Sequence, residues 1–510
     1  MNSSFRVLGC LALWLVATAA WRPLLVPDEG RYASIAYQML LGDPLVPMLN
    51  GLPFFHKPPL LYWIDMAAFS VMGVHPFAAR MGPALGAFVL GASLYVHLRH
   101  WHGVRVATAG VVMVATTPFV FVGGQYINHD MGVAGCITAA VFAAVRSFEV
   151  TGSQRYGWWV QAWLFCGLGV LAKGLIGVVL PGLIVLPWLL ARRQWRGLLW
   201  FAHPLGWLVL ACTVGPWLFA MHVRFPDFID YFIIEQHFRR YGGTSFNNPQ
   251  PVWFFVAVLP LLTLPWSLGL WSAAQALWKA RGDPLPTPAG SVVASKSSAS
   301  SPGALLGLYL WWIVVIIGFF SVPRSKLVGY VLPAVAPWCA LLAWGLADRI
   351  RVWPKIGVVA AVLCVAIVSG LAWRSPHSAQ AAALELKRLM QPGDRVVFVN
   401  EFFYDVPFYA QLSQPVWVLS DWDDRNIQRR DNWRKELHDA RRFATPEQQS
   451  VLWPLAQARA LLCAGSSPSW VLTPSDLRQV WPDGPYGQRV FEAAGVQLWR
   501  ISPSECRGVS

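Results

Sequence analysis

Long blocks of apolar residues run through this chain, and they fix its class before any motif is read. They fall near residues 5–22, 80–98, 105–123, 131–148, 157–172, 175–191, 198–221, 252–277, 304–322, 328–347 and 356–373. Most approach the roughly 18–25 residues that cross a bilayer as a helix. In hydrocarbon each backbone amide must be satisfied within its own segment, so such runs fold as helices. About eleven spans result, and the shorter stretches suit interfacial or re-entrant segments as well. Only 13% of the 510 residues are charged, against about 25% in soluble chains, too few to cover a water-exposed surface of this size. The chain is read as an all-α polytopic membrane protein. Val7 to Ala20 after Arg6 has the make-up of a signal peptide, but the chain's best motif follows directly, which favours an uncleaved first span. An aromatic-rich amphipathic piece around Leu60 to Val74 suits the membrane surface.

Lys and Arg in short loops set the orientation. With the N-terminus inside, the inner loops carry Arg99 and Arg105; Arg146 and Arg155; Arg192, Arg193 and Arg196; Lys279, Arg281 and Lys296; and Arg349, Arg351 and Lys355. Residues 374–510 then lie outside. The net charge of +14 reflects this bias and anionic lipid, not nucleic acid, for which no motif is present. Acidic residues are the sharper marker. Asp28, Glu29, Asp43, Asp65, Asp130, Asp227, Asp230 and Glu235 fall outside or at the outer boundary, while only Glu149, Asp283 and Asp348 fall inside before residue 374. The outer loops also hold Lys57, Lys173, Arg239, Arg240, Arg324 and Lys326, against the usual bias. Charges set against a topological preference beside apolar spans mark a site, so the chemistry faces outward.

Three regions follow: a transmembrane domain over 1–373 with outward-facing catalytic loops, a Pro/Ser/Ala-rich flexible linker at 279–303 on its inner side, and a soluble outer domain over 374–510. In the last, Ala379–Met390 has helical periodicity, and Arg395–Asn400, Pro415–Leu419, Ala460–Ala464, Trp470–Leu472 and Val496–Ile501 read as strands, giving a small α/β fold. Six of the eight cysteines sit in apolar runs; Cys463 and Cys506 lie in this tail, where pairing is open.

Val26-Pro27-Asp28-Glu29-Gly30-Arg31-Tyr32 opens the first outer loop. Two adjacent carboxylates there suit a base, a metal ligand or a sugar-hydroxyl acceptor; equally, they suit a helix start neutralised by Arg31. His56-Lys57-Pro58-Pro59 fixes an extended backbone and holds the Lys57 ammonium at headgroup depth, where it suits a phosphate or simple snorkelling. Asn128-His129-Asp130 begins a span, as a cap or as a second acidic site. Lys173-Gly174 breaks two apolar runs as a hairpin turn or a second phosphate contact. In Glu235-Gln236-His237-Phe238-Arg239-Arg240-Tyr241 the arginines suit a phosphate and His237 with Glu235 a metal or hydroxyl, while a Glu235–Arg239 helical ion pair is the plain alternative. Arg324, Lys326 and Tyr330 close the same face.

Six segments in order, PDEGRYA (27–33), GDPLVPMLNGLPFFHKPPLLYW (42–63), NHDM (128–131), LAKG (171–174), EQHFRRY (235–241) and SVPRSKLVGYVLPAVAP (321–337), resemble the bacterial 4-amino-4-deoxy-L-arabinose lipid A transferases. These lie within the wider dolichyl-phosphate-mannose protein mannosyltransferase superfamily. The resemblance covers most of residues 20–340. It implies a C-type glycosyltransferase fold in a bacterial inner membrane with its active site facing the periplasm. It further implies a sugar donor on undecaprenyl phosphate, an acceptor such as lipid A, and a role in polymyxin resistance. By motif, Asp28 and Asp130 become the catalytic or acceptor-site carboxylates. Lys57, Arg239, Arg240 and Lys326 contact phosphate, and Glu29, Arg31, Lys173, Arg324 and Tyr330 join the substrate site. Relatives commonly carry Glu before the Lys-Pro-Pro, where this chain has His56. With His237 and Glu235 that position would hold a divalent metal, zinc or magnesium; the replacement removes one negative charge and leaves metal binding open.

The leaving group is already a phosphate, so cations that stabilise it lower the barrier most. One displacement at the anomeric carbon inverts configuration. A phosphate acceptor needs no base, and Asp28 then orients it or the sugar; a hydroxyl acceptor makes Asp28 a general base. Two rivals remain. One is the same fold moving glucosamine, galactosamine or mannose to lipid A, another glycan or a protein hydroxyl. The other is a lipid flippase, which would place its polar residues near midmembrane.

Overall fold

The computed structural model describes residues 3–239, 248–279, 302–349, 351–374, 378–429, 431–463, 467–481 and 487–503. The chain divides into two compact units, Met1–Ala19 with Arg80–Thr244 and Asn248–Gly370, and Ala20–Ala79 with Ser245–Asn247 and Leu371–Ser510. Residues 20–79, read from the sequence as an outer loop of the membrane portion, thus share a unit with the C-terminal region.

In chain order the main helices are α1 (Ser3–Val16), α2 (Asp28–Leu41), α3 (Leu60–Met72), α4 (Met81–Thr116), α5 (His129–Ser147), α6 (Gly152–Lys173), α7 (Ile176–Ala191), α8 (Pro204–Arg224), α9 (Phe254–Leu262), α10 (Pro302–Ser321), α11 (Val335–Leu346), α12 (Trp353–Trp373), α13 (Gln380–Leu389), α14 (Trp433–Arg441) and α15 (Ala458–Cys463). All but α2, α3, α13, α14, α15 and the last three residues of α12 belong to the first unit, and helix occupies each of the eleven apolar runs. Among the described residues five helices are long and apolar enough to cross a membrane: Met81–Thr116, His129–Ser147, Gly197–Arg224, Val328–Leu346 and Trp353–Trp373. A sixth appears if Phe254–Leu262 and Trp266–Gln275, bent by 99°, count as one broken span. The other runs form shorter or more polar helices. The protein is a multi-pass membrane protein.

Small residues let two of these helices approach closely. A Cβ on Gly135 of α5 would sit 2.4 Å from the Gly86 carbonyl oxygen of α4, and one on Gly86 would sit 2.8 Å from the Gly132 backbone. Such backbone-to-backbone packing is the usual way of joining helices in lipid. It fixes the start of α5, where Asp130 stands.

In the second unit β1 (Met48–Leu49) and β2 (Leu52–Pro53) form a small antiparallel hairpin. The larger sheet comprises β3 (Arg395–Val399), β4 (Trp417–Ser420), β5 (Leu452–Pro454), β6 (Ser469–Thr473), β7 (Gln488–Ala493) and β8 (Val496–Ile501). Its order is β5-β4-β3-β6-β8-β7, parallel from β5 to β6 and antiparallel beyond. Central β3 is a continuous apolar run, as expected of a parallel strand covered on both faces. The expected strand at 460–464 is instead helix α15. Ala and Leu favour helix, and Ala458, Leu461 and Leu462 enter the core together at spacing 0, 3, 4. Strands β5 and β7 were not anticipated. Cys463 is disulfide-bonded; Cys506 lies outside the described residues.

Candidate active site

Each unit carries one buried ionic cluster built from the motifs. In the first unit, Asn128 has extended backbone and its side chain accepts from the Asp130 N–H at 2.9 Å, capping α5. Asn128, not Asp130, is the cap, which leaves the Asp130 carboxylate for other partners. Its Oδ1 accepts from the Lys173 Nζ, and its Oδ2 from the Asn128 amide at 3.3 Å. Lys173 is the last residue of α6, where the helix dipole favours a cation. The next residue, Gly174, has φ +86° and turns the chain into α7. The Lys173 ammonium stands 4.5 Å above the Tyr330 ring. Gly329 closes the far side: a Cβ there would lie 2.1 Å from Asp130 Oδ2. Lys326 is buried and donates to the carbonyls of Gln250 (2.9 Å) and Pro323 (2.6 Å), while Arg324 is exposed. Lys326 therefore pins its own loop to the segment at 248–250, a structural role that the motif alone did not show.

Glu235 lies on a π-helix, Asp230–Arg239, rather than the α-helix assumed for a Glu235–Arg239 pair. The side chains of His237 and Arg239 and all of Arg240 fall outside the described residues.

In the second unit the two adjacent carboxylates of the PDEGRYA motif go opposite ways. Glu29 is fully buried. It accepts from both Arg22 guanidinium nitrogens (Nη2 at 3.0 Å) and from the Leu25 N–H at 2.8 Å. It locks the chain entering α2, so it acts as scaffold where the motif suggested substrate contact. Asp28 keeps about 36% of its side chain exposed and accepts from Arg31 Nη2. Arg31 also donates to Glu436 on α14, and its guanidinium lies against the rings of Tyr32 (5.0 Å) and Tyr404 (5.4 Å). Glu436 in turn accepts from the Tyr404 hydroxyl at 2.6 Å. Burial pushes the Glu436 carboxyl up, with Arg31 and the Tyr404 hydroxyl pulling back. Arg31 is raised well above its ordinary value, because Glu436, Tyr32, Tyr404 and Asp28 outweigh its burial.

One residue further on, Gly30 meets Asp405: a Cβ on Gly30 would lie 2.9 Å from the Asp405 nitrogen. Asp405 Oδ2 accepts from Ser378 Oγ (2.7 Å) and the Ala379 N–H (3.0 Å), while its buried Oδ1 has no hydrogen-bond partner among the described residues. Burial pushes this carboxyl up to about 6, with the hydrogen bonds pulling back. His56 stacks on Phe54 (centroids 4.4 Å) and, like the neighbouring Lys57, is half-buried. Among the described residues no three His, Cys, Asp or Glu side chains converge as metal ligands. The expected set of His56, Glu235 and His237 is incomplete among the described residues, because the His237 side chain lies outside them, and no step below runs through a metal.

Arg22, Tyr404, Asp405, Glu436 and Gly329 were missed by sequence reasoning. Glu436 lies 405 residues from Arg31 on a charged amphipathic helix, where nothing local separates it from a solvated carboxylate.

The family model for dolichyl-phosphate-mannose-protein mannosyltransferase matches residues 15–232. An undecaprenyl phosphate-alpha-4-amino-4-deoxy-L-arabinose arabinosyl transferase of Pectobacterium carotovorum is 31% identical over 409 residues, 77% of this chain and 67% of the relative. The chain belongs to the aminoarabinose arabinosyl transferase family. A relative of the same name from Pseudomonas paraeruginosa is 32% identical over 64% of this chain; the chain spans 56% of that relative's length. The crystal structure of ArnT from Cupriavidus metallidurans bound to undecaprenyl phosphate superposes with TM-score 0.80 at 22% identity, over 98% of each chain. The fold is therefore the C-type glycosyltransferase fold of this family, with a small C-terminal α/β domain.

Proposed function

We propose that this protein transfers 4-amino-4-deoxy-L-arabinose from undecaprenyl phosphate to a phosphate of lipid A at the periplasmic face of the bacterial inner membrane. The observation that carries this reading is its 30–32% identity, over 335 residues or more, to arabinosyl transferases that share one name. The charges of both clusters agree with it.

The acceptor phosphate oxygen attacks the anomeric carbon while the bond to the donor phosphate breaks. Undecaprenyl phosphate leaves and the sugar's configuration inverts. Negative charge develops on the leaving phosphate, so cations placed beforehand contribute most. Lys57, Arg239, Arg240 and the exposed Arg324 are assigned to it. Lys173 is held by Asp130 and stands over Tyr330, which fixes a cation without leaving it mobile. Asp28, the more exposed carboxylate, pairs with the sugar ammonium or orients the acceptor. Arg31 holds its rotamer from behind. A phosphate acceptor brings no proton to remove, so the mechanism needs no general base. The acceptor phosphate becomes a phosphodiester that bears an amine, so its net negative charge falls and its attraction for cationic peptides weakens.

Mass spectrometry of lipid A from cells lacking the protein, complemented with wild type or Asp28→Asn, tests this. A phosphate-linked aminopentose restored by wild type alone supports the assignment. Unchanged lipid A while the protein is expressed rejects the acceptor.

A further inference from the structure

The end of α7 away from Lys173 holds a cleft that the transfer reaction does not use. Its volume is about 440 Å³, and Pro187, Trp188, Ala191, Arg192, Gly307 and Trp311 line it. Helix α7 begins just after Lys173-Gly174 and is 16 residues long. Rising about 1.5 Å per residue, it carries Arg192 most of a hydrocarbon thickness, roughly 30 Å, from the Asp130–Lys173 pair. Helix α10 agrees, since Gly307 and Trp311 lie in its first half and Arg324 and Lys326 follow its far end. The cleft therefore opens in the leaflet opposite that pair.

Its walls are apolar, and Trp311 is pinned by donating to the Leu183 carbonyl at 3.1 Å. Among the described residues Arg192 is the one charged lining residue. Its guanidinium stands 5.3 Å over the Trp188 ring, and its buried Nε has no hydrogen-bond partner among them. The acidic group acting on it, Glu149, bonds Arg146 at 3.4 Å through one oxygen and makes no hydrogen bond to Arg192. An apolar slot with an under-satisfied arginine at an indole-lined mouth matches one ligand chemistry, an acyl chain bearing an anionic phosphate.

We propose that this cleft binds an anionic phospholipid of the leaflet opposite the Asp130–Lys173 cluster, with an acyl chain between Trp188 and Trp311 and its phosphate on Arg192. The test is native mass spectrometry of the full chain released from nanodiscs of equal phosphatidylglycerol and phosphatidylcholine. Wild type retains phosphatidylglycerol in preference. Arg192→Gln lowers that preference about fivefold, the worth of one cation beside an anionic headgroup, and leaves phosphatidylcholine retention unchanged. Gly307→Leu, at a position where an added Cβ meets nothing within 4 Å, fills the slot and lowers retention of both lipids. Arg105→Gln removes an exposed charge beside Asp348 and changes neither. Equal retention of the two lipids by wild type, undiminished discrimination by Arg192→Gln, or full occupancy in Gly307→Leu each overturns the proposal.

Discussion

The two ionic clusters solve the same problem by different means. Asp130 and Lys173 come from the ends of two helices 43 residues apart, and Gly329 admits them by having no side chain. Helix packing alone holds that pair. Asp28 is instead held through Arg31 by Glu436, a residue of the C-terminal sheet domain. The first arrangement is set within the helix bundle, with α4 and α5 in backbone contact beside it. The second is rigid only once a distant domain has folded onto it. A half-buried carboxylate at the start of α2 thus owes its aim to the chain's last third.

Substitutions should separate the two. The largest effect is expected from Lys173→Met, which strands the buried Asp130 carboxylate without its cation. Removing one partner of a buried pair costs about 3–5 kcal/mol, seen as a lower unfolding temperature in detergent. Adding Asp130→Asn should recover much of the loss, and a double mutant no better than Lys173→Met would show that the pair is not self-contained.

Next comes Asp405→Asn in the second unit. The folded carboxyl, at about 6, holds its proton more tightly than an unfolded Asp near 3.9. The associated stability is therefore full below about pH 4 and declines as pH rises through 6, by on the order of 2–3 kcal/mol. The amide keeps the acceptor for Ser378 and Ala379 and cannot ionise. Melting curves between pH 4 and 7 should slope downward for wild type and lose that component in the variant; parallel slopes would exclude Asp405 as its source.

Glu436→Gln keeps an acceptor for the Tyr404 hydroxyl but releases Arg31. Misplacing Asp28 should lower kcat for sugar transfer by about tenfold or more, with donor KM unchanged and the coupling between Asp130 and Lys173 as in wild type. A KM effect alone would assign Glu436 to binding. The smallest effects are expected at the caps. Asn128→Ala and Asn432→Ala, which cap α5 and α14, should each cost about 1 kcal/mol. Both should also lower kcat, the first through the Asn128 amide on Asp130 and the second through Glu436.

What the sequence made legible was periodicity and local order. The apolar runs mark each helix of the first unit, and strands β3, β4, β6 and β8 stand out as short apolar segments. Asp28 and Asp130 were picked out because acidic residues are rare beside membrane spans. Opposite fates for Asp28 and Glu29 were not legible, since Arg22 and Arg31 flank them alike and only the packing decides which carboxylate is buried. Lys326 reads as a loose cation until its loop is seen closing on the carbonyls of Gln250 and Pro323. The stretch at 460–464 misled because a five-residue apolar run has no period long enough to distinguish strand from helix.

The composite make-up of the second unit has a consequence in time. Its first segment ends at residue 79 and its last begins at residue 371. At a synthesis rate of about 5–20 residues per second, the roughly 290 residues between them take about 15–60 s to emerge. Throughout that interval Arg31 has no Glu436 to meet, and Gly30 has no Asp405. A newborn chain must keep its first loop open until the last strands arrive, so any stop codon upstream of the sheet strands the motif half-assembled.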